Sequence, residues 1–130
     1  MKKVLLDTNA FSQLFTGEKM ILFALSKAEI VYMSVFVLAE LYYGFRGGKR
    51  EYENKELLNR FLDRPTVKIL DASQETADIF SRVKYDLKSA GNPIPINDIW
   101  IASHVMETGS VLITSDQHFL KIKGLRIWNS

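Results

Sequence analysis

Short apolar runs alternate along the chain with longer stretches whose apolar positions recur at helical spacing. Four runs, KVLL (3–6), EIVYM (29–33), TVKIL (66–70) and SVLIT (110–114), have the length and β-branching of buried strands. LRIW (125–128) is a weaker fifth. Between them, EKMILFALSKA places Met20, Ile21, Ala24 and Leu25 on one helical face. Ser34 is positioned to cap VFVLAELYYGF, which Gly47 and Gly48 close. EYENKELLNRFLDR reads as an amphipathic helix stopped by Pro65. Ser73 is placed to cap QETADIFSRVKYDLKSA, which ends at Gly91 before the breaker NPIP, and Asn97 opens DIWIASHVMETG.

Strands alternating with helices imply right-handed crossovers and an α/β fold whose largely parallel sheet is covered on both faces. No repeat, low-complexity tract or linker divides the 130 residues, so residues 1–130 are expected to form one domain. In such sheets a site lies beyond the C-terminal ends of the strands. VLLDTN (4–9) and VLITSD (111–116) each stop on an aspartate at that edge, Asp7 and Asp116.

Each of these acids also has a plain structural reading, as a turn residue or helix cap. Two further acids join them. Glu40 lies at the edge of the apolar stripe formed by Val37, Leu41 and Phe45, where a charge is rare unless it is paired or binds metal. Asp98 is aligned with Ile101, Ala102 and Val105, on the coreward side of its helix. The helix dipole alone would favour an acid in that first turn, but it could be satisfied from the wet face.

Four ionised carboxylates do not share a low-dielectric pocket unaided, because like charge and desolvation both oppose it. Divalent cations resolve the conflict, and an all-oxygen donor set selects hard ions, Mg²⁺ or Mn²⁺. Such a site suits in-line phosphodiester hydrolysis. Setting those four acids aside leaves 17 basic against 11 acidic residues. Arg46, Lys49 and Arg50 follow the Glu40 helix, and Lys121, Lys123 and Arg126 follow Asp116; both groups are candidates to hold an RNA backbone, or else a merely solvated face. His104 falls on the helix flank away from Asp98 and reads as structural or exposed. His118, two residues beyond Asp116, could reach the site but reads first as part of a helical turn. Tyr42, Tyr43 and Phe45 could stack on bases, although an aromatic stripe at helical spacing more often packs in a core.

Composition removes other chemistries. The chain has no cysteine, which excludes disulfides, thiolate zinc sites and cysteine nucleophiles and fits a reducing cytoplasm. Asp7 ends the apolar start MKKVLL far short of a signal-peptide core, and YMSVFVLAELYYGF is too short, and interrupted by Glu40, to span a membrane.

With LLDTN, SVFVLAELYYG, GNPIPINDIWIAS and VLITSDQHF in that order, the sequence resembles the PIN-domain family, and within it the VapC-type toxins of toxin–antitoxin pairs. The resemblance spans essentially the whole chain. It implies a three-layer α/β/α domain with a central sheet of four to five strands, acting as a Mg²⁺- or Mn²⁺-dependent endoribonuclease. It carries the family's acidic quartet onto Asp7, Glu40, Asp98 and Asp116, and its polar Ser/Thr onto Thr114, placed to position a water or an acid. Asn9 and Asn97 fall in the motif blocks with supporting roles. A homodimer and a small antitoxin whose tail covers the acidic groove are further implications, and the apolar face from Met20 to Leu25 is a candidate dimer surface. Many members carry another acid two residues after the equivalent of Asp116, where this chain has His118, which leaves one metal or two open. Two other readings stand beside this one. An aspartyl-phosphate phosphatase would use the first aspartate as nucleophile but wants an acid where Asn9 stands. A non-catalytic PIN module would bind RNA or protein without cutting.

Overall fold

The computed structural model describes residues 2–128. Five parallel strands, β1 (Lys3–Leu6), β2 (Ile30–Ser34), β3 (Val67–Leu70), β4 (Val111–Ile113) and β5 (Ile127–Trp128), form one sheet in the order β3-β2-β1-β4-β5. Helices α1 (Thr8–Phe15) and α2 (Lys19–Ser26) connect β1 to β2, and α3 (Val35–Phe45) and α4 (Glu51–Leu62) connect β2 to β3. The chain then returns past β1 through α5 (Gln74–Ser89) and α6 (Ile96–Thr108) to reach β4. A 3₁₀ turn, Gln117–Lys121, leads to β5. Because strand order reverses there, the crevice between the ends of β1 and β4 is the sheet's topological switch point.

The core explains why these strands sit at the centre. Val4, Leu5 and Leu6 of β1 and Leu112 and Ile113 of β4 are wholly excluded from solvent, as expected of strands covered on both faces. Phe11 of α1 and Phe61 of α4 meet edge-to-face at 5.5 Å. Trp100 of α6 lies between Phe36 of α3, at 4.9 Å, and Phe80 of α5, at 3.9 Å, binding three helices together. Ile21 and Ala24 of α2 are buried, but Met20 is exposed along with Leu22 and Phe23, so the apolar face read for this helix only partly reaches the core.

Most predicted boundaries stand to within a residue or two, and three differences bear on the site. Thr8–Phe15 forms a helix that the sequence reading did not assign, two turns long with Asp7 as its cap. Thr114 falls just past β4, although its backbone N–H still donates to Trp128 O at 3.3 Å. α6 begins at Ile96 rather than after Asn97, because Pro95, with φ of −55°, is preset to start a helix; the Asn97 amide instead donates to Phe36 O at 3.4 Å. At the other end Gly109 closes α6 in the left-handed conformation, φ 68°, so β4 follows at once.

His104 is buried and structural. Its Nε2–H donates to the Asp71 carbonyl at 3.1 Å, and its Nδ1 accepts from Ser34 Oγ at 2.7 Å. That hydroxyl in turn accepts from Phe36 N as the predicted cap of α3. The neutral imidazole satisfies both ring nitrogens, and burial holds it below its ordinary value of 6.5. The unfolded chain therefore binds more protons below that pH, and His104's contribution to stability falls as pH drops through 6.5. Thermal melts from pH 7.5 to 5.5 should show wild type losing stability relative to a His104→Leu variant as the pH falls; parallel curves would contradict it.

Candidate active site

Asp7 follows β1 and caps α1, its Oδ1 accepting from Ala10 N at 2.8 Å. Its other oxygen, Oδ2, accepts a short hydrogen bond from Thr114 Oγ1. The Thr114 hydroxyl also accepts from Asp116 N at 2.9 Å, so one buried side chain ties the ends of β1 and β4 together. Asp116 caps the 3₁₀ turn through Oδ1, which accepts from His118 N at 2.9 Å. The cap readings of Asp7 and Asp116 thus hold, and the caps are what aim the two carboxylates.

Glu40, on α3, accepts a short hydrogen bond from Thr8 Oγ1 in the first turn of α1. Thr8 is a candidate site residue that sequence reasoning missed: it stands beside Asp7 in LLDTN, but its partner lies 32 positions away. Asp98 sits in the first turn of α6, half-buried as its coreward alignment required. His118 Nδ1 lies 3.2 Å from Asp98 Oδ2 and 3.2 Å from Asp116 Oδ1. Its place is therefore at the site and not only in a turn.

Among the described residues, Asp98, Asp116 and His118 gather one donor atom each within 4.8 Å of one another, an arrangement able to hold a metal ion. Asp7 and Glu40 border this group. Burial raises the Asp7 carboxyl above its ordinary range, opposed by the hydrogen bonds from Thr114 and Ala10 and reinforced by Asp116 and Asp98. Burial likewise raises Asp98, opposed by His118 and reinforced by Asp116 and Glu40. No lysine or arginine pairs with any of the four acids among the described residues; the ion pairs not involving His118 are Lys55–Glu51 and Arg82–Asp78. Converging carboxylates with no lysine or arginine between them are the donor chemistry of a hard divalent ion, so the residues fit Mg²⁺ or Mn²⁺.

The basic residues separate. Arg46, Lys49 and Arg50 are exposed between α3 and α4, beside Tyr43, which is 82% exposed and so not core. Lys121 and Lys123 instead rim a groove of about 870 Å³ floored by Ile79, Val83, Leu87 and Met106, which contains none of the four acids. Arg126 donates through Nη2 to Gly109 O at the C-terminal end of α6, a natural seat for a guanidinium. That places it roughly 16 Å along the helix from Asp98, away from the four acids.

A profile of the PIN domain matches residues 4–125. This chain belongs to the PIN-domain family. The PIN domain is 32% identical to "Ribonuclease VapC2" of Haemophilus influenzae (strain ATCC 51907 / DSM 11121 / KW20 / Rd), across 99% of this chain and 98% of that one. It is also 32% identical to "Ribonuclease VapC2" of Rickettsia felis, across 81% and 78% of the two chains. Its fold overlays that of a chain in the crystal structure of VapBC2 from Rickettsia felis bound to a DNA fragment from their promoter, with a TM-score of 0.87 and 26% identity over 98% of both chains. The five-stranded parallel sheet with its helices is the three-layer α/β/α arrangement that the PIN resemblance implied.

In a PIN domain free of metal, the raised carboxyls carry a cost. A group held above its ordinary value destabilises the fold while ionised, and that loss is relieved as pH falls and the carboxyl protonates. At neutral pH and with chelator present, Asp98→Asn should therefore melt a few degrees above wild type while losing stabilisation by Mn²⁺. A lower melting temperature in chelator would contradict the electrostatic account.

Proposed function

We propose that this PIN domain, acting as one unit over residues 1–130, is a cytoplasmic VapC-type endoribonuclease toxin that hydrolyses RNA phosphodiester bonds with Mg²⁺ or Mn²⁺ and is restrained by a cognate antitoxin protein. The observation that carries the reading is the convergence of Asp7, Glu40, Asp98 and Asp116 at the switch point with no lysine or arginine among the described residues to neutralise them. It gains weight from full-length similarity to a protein named as a ribonuclease. No described helix is long and apolar enough to cross a membrane.

Asp98 and Asp116 would hold the cation, with Asp7 and Glu40 completing the acidic wall. A bound divalent ion would lower the pKa of a water and offset charge developing on the phosphoryl oxygens. The chain's own residues do the positioning. Thr114 fixes Asp7 against Asp116, Thr8 fixes Glu40, and one of the four carboxylates orients the attacking water. Arg46, Lys49 and Arg50, with exposed Tyr43, would hold the RNA strand through phosphate contacts and stacking. The exposed apolar side chains Met20, Leu22 and Phe23 of α2 support a protein partner there, the antitoxin or a second copy in a homodimer.

The phosphatase alternative gains nothing from the fold, since Asn9 is exposed on α1 where a second acid would be wanted. Purified protein should cut single-stranded RNA with Mg²⁺ or Mn²⁺ and stop with chelator. Asp7→Ala and Asp98→Ala should each lose at least about a hundredfold in rate, the scale of a lost acid or base. Undiminished cutting by either variant would defeat the assignment, and stabilisation by metal without any cutting would point to a binding module.

A further inference from the structure

His118 is the one side chain at the site whose chemistry departs from oxygen. Its backbone N–H is gripped by Asp116 Oδ1, which turns the imidazole back toward the acids. Nδ1 then stands 3.2 Å from an oxygen of Asp98 and 3.2 Å from an oxygen of Asp116. An octahedral ion with bonds of about 2.1 Å sets adjacent donor atoms about 3 Å apart, so these separations suit neighbouring positions around one ion. They also suit a ring N–H shared between two carboxylates, in which case the histidine is a counter-charge and not a ligand. Donor chemistry separates the two roles, because Mg²⁺ and Mn²⁺ are both suited by carboxylate, carbonyl and water ligands, whereas Mn²⁺, as a first-row transition ion, also accepts an imidazole nitrogen that Mg²⁺ disfavours.

We propose that His118 is a metal ligand through Nδ1, making this a mixed carboxylate–imidazole site that prefers Mn²⁺ to Mg²⁺. The inference rests on the metal-dependent reading above and names the residue that sets its ion specificity. The imidazole stands where a further acid would give a purely oxygen-lined site. It therefore trades one negative charge for a nitrogen donor and leaves Asp98 and Asp116 as its partners on a single ion. His118 is 46% exposed on the surface turn, and its substitution does not disturb the core.

The two roles differ in sign. Removing a ligand weakens metal binding, whereas removing a cationic competitor strengthens it. Calorimetric titration of the untagged full chain with MnCl₂ and MgCl₂ should show His118→Ala weakening Mn²⁺ binding by roughly tenfold or more, since even residues that only support a ligand are worth about that much. Mg²⁺ binding should change less, and His118→Asp should shift preference toward Mg²⁺. Pulsed electron paramagnetic resonance of the Mn²⁺-loaded protein should show ¹⁴N coupling in wild type and none in His118→Ala. The chain has only two histidines, and both ring nitrogens of His104 are engaged by Ser34 and Asp71, so the signal has one source. Absence of nitrogen coupling, or unchanged or tighter Mn²⁺ binding in His118→Ala, overturns the ligand role alone. Failure of wild type to bind either ion overturns it together with the metal-dependent reading.

Discussion

The hydroxyl of Thr114 donates to Asp7 and accepts from the backbone of Asp116, and that pair of bonds holds the ends of β1 and β4 at a fixed separation. These strands are neighbours in space and more than a hundred residues apart in sequence, paired in parallel through Val4–Val111 and its successors. Everything acidic at the site is built outward from that junction. Asp7 leaves one strand, Asp116 leaves the other, and His118 is set by Asp116 so that it meets Asp98 from α6. A hydroxyl suits this junction because it can donate to one partner and accept from another within a space closed to water.

Each carboxylate is placed by a local interaction that would exist without any function. Asp7 and Asp116 are helix caps, Asp98 occupies a first turn where the dipole favours it, and Glu40 takes a hydroxyl from Thr8. Such bonds fix the direction of the oxygens before any ligand arrives. They also hold the acids close enough to raise Asp7 and Asp98 above the ordinary range. Local stability is thus set against preorganisation, and a bound cation would reconcile them by favouring the ionised forms that burial and like charge penalise.

The fold was legible where a signal was local. Strand runs, the caps at Ser34 and Ser73 and the stop at Gly91 need only neighbouring residues, and the parallel sheet follows from the alternation. α1 was missed because two turns give too little periodicity, although Ala10, Phe11 and Leu14 do fall on one side. The four acids could be read because each stands at an element end or on a coreward stripe. What could not be read were pairings made across the sheet: Thr8 with Glu40, His118 between two aspartates, and Arg126 turned to Gly109 instead of to the acids. Those depend on which strands become neighbours, and strand order was not specified by any residue pattern.

The central claim is that this acidic crevice is a seat for a divalent ion. Anomalous diffraction from crystals soaked in MnCl₂ tests it most directly. The account predicts a manganese peak bounded by carboxylate oxygens of Asp98 and Asp116, with Asp7 and Glu40 beside it. A well-ordered map with no peak there, or with manganese bound only elsewhere on the surface, would contradict it.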